Sequence, residues 1–176
     1  YCVAVSSATA GLHIAMLALE IKPGDEIITS PVTFLASANC ARYCGADVKF
    51  CDIEEKTANI NPEQIEKLVT SKTKAIIPVH FAGQSCNMEK IYEIAKKHNL
   101  KIVEDAAHAI GSDYKGNKVG CCEFSDMAVF SFHPVKTITT GEGGAVVTND
   151  LELYQKLLAY RSHGMYKDGE MQNTWE

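Results

Sequence analysis

Residues 131–144 carry the clearest signal in this chain: Ser131-Phe132-His133-Pro134-Val135-Lys136-Thr137-Ile138-Thr139-Thr140-Gly141-Glu142-Gly143-Gly144. The apolar residues that lead into this stretch predict a buried strand from Met127 to Phe132, followed by a lone lysine and a Gly-rich turn. An amine held at the end of a rigid strand is suited to form a Schiff base with a carbonyl cofactor. We therefore take Lys136 as the first candidate site residue.

A second informative stretch precedes it by about thirty residues: Ile102-Val103-Glu104-Asp105-Ala106-Ala107-His108. It predicts a strand that presents Asp105 at its carboxyl end, the edge at which ligands gather in open α/β sheets. Taken alone, Asp105 would more simply be a helix N-cap or part of an ion pair. Together with Lys136 it favours pyridoxal phosphate, because a carboxylate can hold the proton on the cofactor's pyridine nitrogen.

Outward from these stretches, the chain alternates between strand and helix patterns. This alternation predicts one α/β domain with a mostly parallel sheet covered by helices on both faces. A predicted hairpin turn at 114–118 interrupts this alternation. The predicted strands are 26–29, 48–51, 75–79, 102–105, 127–132 and 145–148. Five helices are predicted: one after the turn at 6–11, one at 34–43, one that starts at Asn61-Pro62, one with a buried stripe at Ile91, Ile94, Ala95 and His98, and one at 151–161.

The motifs of this chain occur in an order that resembles one family. Val5-Ser6-Ser7-Ala8-Thr9-Ala10-Gly11, followed by the stretches around Asp105 and Lys136, resembles the DegT family of sugar-nucleotide aminotransferases, especially the branch that makes the amino-sugar precursor of pseudaminic acid. The resemblance implies the large domain of the aspartate aminotransferase fold, fold type I. It also implies that residues 1–176 form the pyridoxal-phosphate-binding large domain, incomplete at both ends, with a C-terminal small domain outside this chain. The start at Tyr1 and the stop at Glu176 favour the same interpretation.

The resemblance implies roles for seven residues, of which Lys136 and Asp105 are the catalytic pair. Thr9 and Ala10 bind the cofactor phosphate at a helix start, where N–H groups and the helix dipole favour anions. Ser131 adds a hydroxyl. Phe34 stacks on the cofactor ring and His108 lies near the ring oxygen, although a core phenylalanine and a core histidine remain alternatives.

Two further histidines, His80 and His163, are expected near the substrate mouth without a catalytic role. Glu142 is expected only to shape the Gly-rich turn.

The resemblance implies a transfer of the amino group of glutamate to the C4 keto group of a UDP-linked 4-keto-6-deoxy-N-acetylhexosamine, for surface sugars of the pseudaminic acid type. It also implies a homodimer. The alternatives are a different 4-keto or 3-keto sugar nucleotide, a sugar dehydratase, a nucleotide-binding α/β module and an inactive domain. Dehydratases of this superfamily have histidine where Lys136 stands, and no Gly-x-Gly-x-x-Gly follows a strand here.

Composition narrows the class of protein further. The 176 residues are 46% hydrophobic and carry a net charge of -5 with scattered basic residues, which argues against a nucleic-acid partner. No apolar run is long enough to span a membrane. Seven cysteines without a Cys-x-x-Cys pair favour reduced structural thiols over metal ligands, and therefore a cytoplasmic location.

Overall fold

A computed structural model describes residues 1–168 and 172–175 of the chain, and its centre is a seven-stranded sheet with the order β1-β9-β8-β5-β4-β2-β3. Strand β9 is antiparallel to both of its neighbours, β1 and β8, while the remaining neighbours are parallel. Six of the seven strands therefore point the same way, which confirms the prediction of a mostly parallel sheet. The strands are β1 (Cys2–Val5), β2 (Glu26–Thr29), β3 (Asp47–Phe50), β4 (Thr73–Ile77), β5 (Lys101–Asp105), β8 (Met127–Ser131) and β9 (Gly144–Val147).

Helices cover both faces of this sheet, as predicted. Successive residues of a strand point to opposite faces, so Ile27 packs into one apolar cluster and Ile28 into another. The first cluster lies under α1, α2 and α5, and the second lies under α3 and α4. The helices are α1 (Ala8–Ala18), α2 (Ala36–Tyr43), α3 (Pro62–Leu68), α4 (Met88–His98) and α5 (Leu151–Arg161).

Two short antiparallel pairs complete the fold. β6 (Asp113–Tyr114) and β7 (Asn117–Lys118) form the hairpin predicted at 114–118. β10 (Met165–Asp168) pairs with β11 (Gln172–Trp175), and no pattern in the sequence indicated these two strands. None of the helices in the described residues is long and apolar enough to cross a membrane.

Several element boundaries differ from the prediction. Helix α1 already begins at Ala8, inside the segment expected to be a turn, because Ser7 caps it there. Helix α2 begins at Ala36, which leaves Phe34 in the preceding loop. Strand β8 ends at Ser131, so the prediction that Lys136 stands at a strand end is wrong: it lies five residues farther on, in a turn.

Candidate active site

A cavity of about 730 Å³ opens at the carboxyl ends of the parallel strands. Its wall is built by the segments that follow β1, β2, β4, β5 and β8, which all end at the same edge of the sheet. Six of the seven predicted site residues line it: Thr9, Phe34, Asp105, His108, Ser131 and Lys136. The fold therefore brings together stretches that are far apart in the sequence.

The seventh predicted residue, Ala10, does not line the cavity. Its N–H donates to Oγ of Ser7 at 3.1 Å, the cap of α1. The first N–H groups of a helix lack acceptors inside the helix. Because Ser7 already accepts the N–H of Ala10, the N–H groups of Ala8 and Thr9 remain available to an anion at this end of the cavity.

Gly144 lets the start of α1 approach the sheet closely. A Cβ atom at Gly144 would lie 2.8 Å from the backbone N of Ala8 and 2.9 Å from the carbonyl carbon of Ser7. Only glycine allows this contact, since these are backbone atoms that cannot swing aside. The Gly-rich turn after Lys136 thus has a structural role at the helix start that lines the cavity.

Asp105 is the last residue of β5 and is only 5% exposed, yet its carboxylate is well bonded. Oδ1 accepts the N–H of Ala107 at 3.1 Å, and Oδ2 accepts the hydroxyl of Ser37 at 2.6 Å. Its backbone N–H donates to the carbonyl of Pro78 at 2.9 Å, which ties it to the segment after β4. The buried carboxylate is therefore fixed in position at the cavity wall.

Ser37 is a site residue that the sequence analysis missed. It lies in the first turn of α2 and is fully buried. Nothing in the local sequence connects it with Asp105. The contact exists only because the sheet places β5 beside the start of α2.

Lys136 lies in a turn that is anchored to the end of β8. Its N–H donates to the carbonyl of His133 at 2.9 Å, while Thr139 Oγ1 and the N–H of Thr140 donate to the carbonyl of Phe132 at 2.9 and 3.0 Å. The Lys136 side chain is half-buried against the cavity, and it forms no ion pair with a carboxylate among the described residues. Its amine is therefore available to a ligand.

The aromatic and imidazole groups of the cavity differ in their surroundings. Phe34 is 73% exposed, so it is not a core residue, and its ring is open to a partner. His108 is exposed at the cavity, and partial burial, followed by the charge of Lys136, lowers the pKa of its imidazole below the usual value. The lowered pKa favours the neutral form of the His108 imidazole.

Of the two histidines expected near the substrate mouth, one borders the cavity and the other does not. His80 touches the cavity, but its ring is buried: Nε2 lies 2.7 Å from Oε2 of Glu104, and Nδ1 accepts the N–H of Cys86 at 3.1 Å. That acceptor role assigns the ring proton to Nε2, which donates to the carboxylate. His163 is exposed in the turn after α5 and is not part of the cavity wall. His80 therefore borders the cavity, whereas His163 does not.

The whole chain, residues 1–176, matches the model of the DegT/DnrJ/EryC1/StrS aminotransferase family. It is 46% identical to the GDP-perosamine synthase of Caulobacter vibrioides over 165 residues, which are 94% of this chain and 44% of that protein.

Solved structures share the fold. PseC of Helicobacter pylori, an aminotransferase involved in the biosynthesis of pseudoaminic acid, superposes with a TM-score of 0.91 at 39% identity, covering 100% of this chain and 47% of its own. NtdA of Bacillus subtilis with bound cofactor PMP superposes with a TM-score of 0.91 at 33% identity, over 100% of this chain and 39% of its own. This chain spans less than half of the length of each.

Proposed function

We propose that this chain, which belongs to the DegT/DnrJ/EryC1/StrS aminotransferase family, carries the cofactor site of a pyridoxal-phosphate-dependent sugar-nucleotide aminotransferase. One observation carries the proposal: a helix start, a buried carboxylate and a lysine amine line the same cavity. The helix start suits the phosphate of the cofactor, the carboxylate suits its pyridine nitrogen, and the amine suits its carbonyl group. No two of these groups come from the same segment of the chain.

The residues of the cavity fit pyridoxal phosphate. The volume of about 730 Å³ is within the range of small-molecule sites. The N–H groups of Ala8 and Thr9 and the hydroxyl of Ser131 suit a phosphate, while Phe34 offers an aromatic face. When bound, the cofactor supplies an electron sink that stabilises negative charge on the substrate carbon. PMP, the ligand of NtdA, is the pyridoxamine form of this cofactor.

The protein groups have distinct roles in this proposal. Asp105 holds a proton at the pyridine nitrogen, because its carboxylate is fixed and buried. Lys136 Nζ is the amine that would hold the cofactor at its carbonyl group, and as a free amine it would move a proton to and from the substrate carbon.

The proposed substrates are glutamate as amino donor and a UDP-linked 4-keto-6-deoxy-N-acetylhexosamine as acceptor. The similarity to PseC supports a role in surface sugars of the pseudaminic acid type. A GDP-linked sugar is the second candidate, supported by 46% identity to GDP-perosamine synthase.

We further propose a cytoplasmic homodimer. Four exposed apolar side chains beside the cavity would gain from burial by a second copy: Phe34, Leu35, Val135 and Ile138.

The test uses the full-length protein with pyridoxal phosphate, glutamate and each of the two sugar nucleotides. Mass spectrometry should detect a 4-amino sugar product from one of them, with no redox cofactor consumed. Borohydride reduction followed by peptide mapping should place the label on Lys136. Lys118→Ala serves as the control, because Lys118 is paired with Asp113 on the surface and its loss should leave the label unchanged. A label on another lysine, or no product from any sugar nucleotide, would contradict the proposal.

A further inference from the structure

A chain of two hydroxyl groups connects the loop before α2 with the buried carboxylate of the cavity. Thr33 Oγ1 lies 2.6 Å from Ser37 Oγ, and Ser37 Oγ lies 2.6 Å from Oδ2 of Asp105. Ser37 is fully buried, so no solvent competes for its hydroxyl. Thr33 is half-buried and lines the cavity.

The geometry sets the direction of these hydrogen bonds. A serine hydroxyl has one proton to donate, and an ionised carboxylate can only accept. The other acceptor near Ser37 is the carbonyl of Phe34, at the longer distance of 3.4 Å. Ser37 therefore donates to Asp105 and accepts from Thr33. The reversed chain, in which Ser37 donates to Thr33, would require a proton on Asp105 to donate to Ser37.

The two hydroxyls act on a carboxylate that already has a second donor. The N–H of Ala107 donates to Oδ1 at 3.1 Å, so each oxygen of Asp105 accepts one bond. A carboxylate has about four acceptor positions, and both oxygens retain a lone pair for a ligand. Donors to the charged form favour that form, which offsets the cost of burying Asp105.

Cys40, one turn beyond Ser37 on α2, does not compete for this role. Burial, and next the charge of Asp105, raises the pKa of its thiol to about 12. The thiol therefore stays protonated, and it donates to the carbonyl of Ser37 at 3.4 Å. Ser37 is the α2 residue that donates to the carboxylate.

We propose that Ser37, supported by Thr33, is a positioning residue that holds the carboxylate of Asp105 oriented for the pyridine nitrogen of the cofactor; this rests on the proposed function. The same bonds span the loop that carries Phe34, since this residue lies between Thr33 and Ser37 in the chain. The carboxylate and the aromatic face are thus fixed relative to each other by one pair of hydroxyls.

The test measures cofactor affinity by absorbance titration of the full-length apoprotein, and so does not depend on turnover. Two ligands are compared: pyridoxal phosphate, and its carbocyclic analogue in which a C–H group replaces the ring nitrogen. Ser37→Ala should weaken binding of pyridoxal phosphate about tenfold, a change of about 1.4 kcal/mol. Binding of the analogue should change less than twofold, because the analogue has no ring N–H to donate a hydrogen bond to Asp105.

Two further variants complete the design. Thr33→Val keeps the side-chain shape and should weaken pyridoxal phosphate binding about threefold, because Ser37 still donates. Ser30→Ala is the matched control: Ser30 is buried in the same loop and accepts the N–H of Val32, without contact to Asp105. Any loss of affinity in this control should be equal for the two ligands.

The outcomes separate the two proposals. If Ser37→Ala weakens both ligands equally, or neither, Ser37 does not act through Asp105 and the inference is overturned. If the wild-type protein binds neither ligand, the proposed function itself fails.

Discussion

Gly144→Ala tests whether the cavity depends on the close approach of α1 to the sheet. The added Cβ would lie 2.8 Å from Ala8 N, 2.8 Å from Phe130 O and 2.9 Å from the Ser7 carbonyl carbon. All three are backbone atoms, held by a helix start and by strand β8. An ordinary contact needs at least about 3.4 Å, so the helix start has to move by roughly half an ångström.

The energetic cost follows from two opposing terms. Overpacking of a well-packed site typically costs about 1–3 kcal/mol. Replacing glycine by alanine inside a strand recovers about 0.5–1 kcal/mol through the unfolded chain. Gly144→Ala should therefore lower the free energy of unfolding by about 1–2 kcal/mol, as measured by urea denaturation. It should also weaken the binding of pyridoxal phosphate, because the N–H groups of Ala8 and Thr9 move with the helix.

Gly141→Ala, in the turn just before β9, is the matched control. Its φ of +80° makes alanine strained, but no atom lies within 4 Å of the added Cβ. It should lose a similar amount of stability and leave cofactor affinity unchanged. If Gly144→Ala were as stable as the wild type, or bound the cofactor equally well, the close contact would not matter and the reasoning would be refuted.

Three further predictions concern single residues. Ser7→Ala should cost about 1 kcal/mol of unfolding free energy in urea denaturation, because it removes the cap that accepts the N–H of Ala10; no loss would contradict the capping role. Asp105→Asn should keep the fold in circular dichroism but lower turnover by about 100-fold or more, since an amide cannot stabilise a pyridinium charge; near-normal turnover would remove Asp105 from the mechanism. The pKa of His108 in the apoprotein should lie below the usual value of about 6.5, with the neutral form dominant above it. Lys136→Met should raise that pKa by removing a positive charge, and an unchanged NMR titration midpoint would argue against their proximity.

The sequence predicted those elements that have local signals. Asn61 and Pro62 start α3, with Asn61 accepting the N–H of Glu63, and α5 spans the predicted residues 151–161. Strand pairing has no such signal. The contact of β9 with β1 pairs residues about 140 positions apart, from Val5 with Gly144 to Cys2 with Val147.

The site was predictable to the extent that it repeats family motifs. The stretches around Asp105 and Lys136 line one cavity, as expected, while their chemical roles remain predictions. Two features could not be derived from the local sequence. Ser37 donates a hydrogen bond to Asp105 across 68 positions of sequence. His80 can be buried because Glu104, one position before Asp105, points to the opposite face of β5 and accepts a hydrogen bond from the His80 ring.

The pairing of β1 with β9 has a consequence for the order of folding. Strand β1 pairs with β9, the last strand of the sheet, and the backbone nitrogen of Tyr1 donates to the carbonyl of Thr148, 147 positions away. During synthesis, β2 to β5 can associate early, whereas the helix start of α1 meets Gly144 only after residues 144–148 have left the ribosome. Contacts of such long sequence separation form slowly, because the loop must close before they stabilise anything. We therefore expect the start of α1, with the N–H groups of Ala8 and Thr9, to be the last part of the cavity wall to assemble. A nascent chain would then acquire its affinity for an anion in one late step.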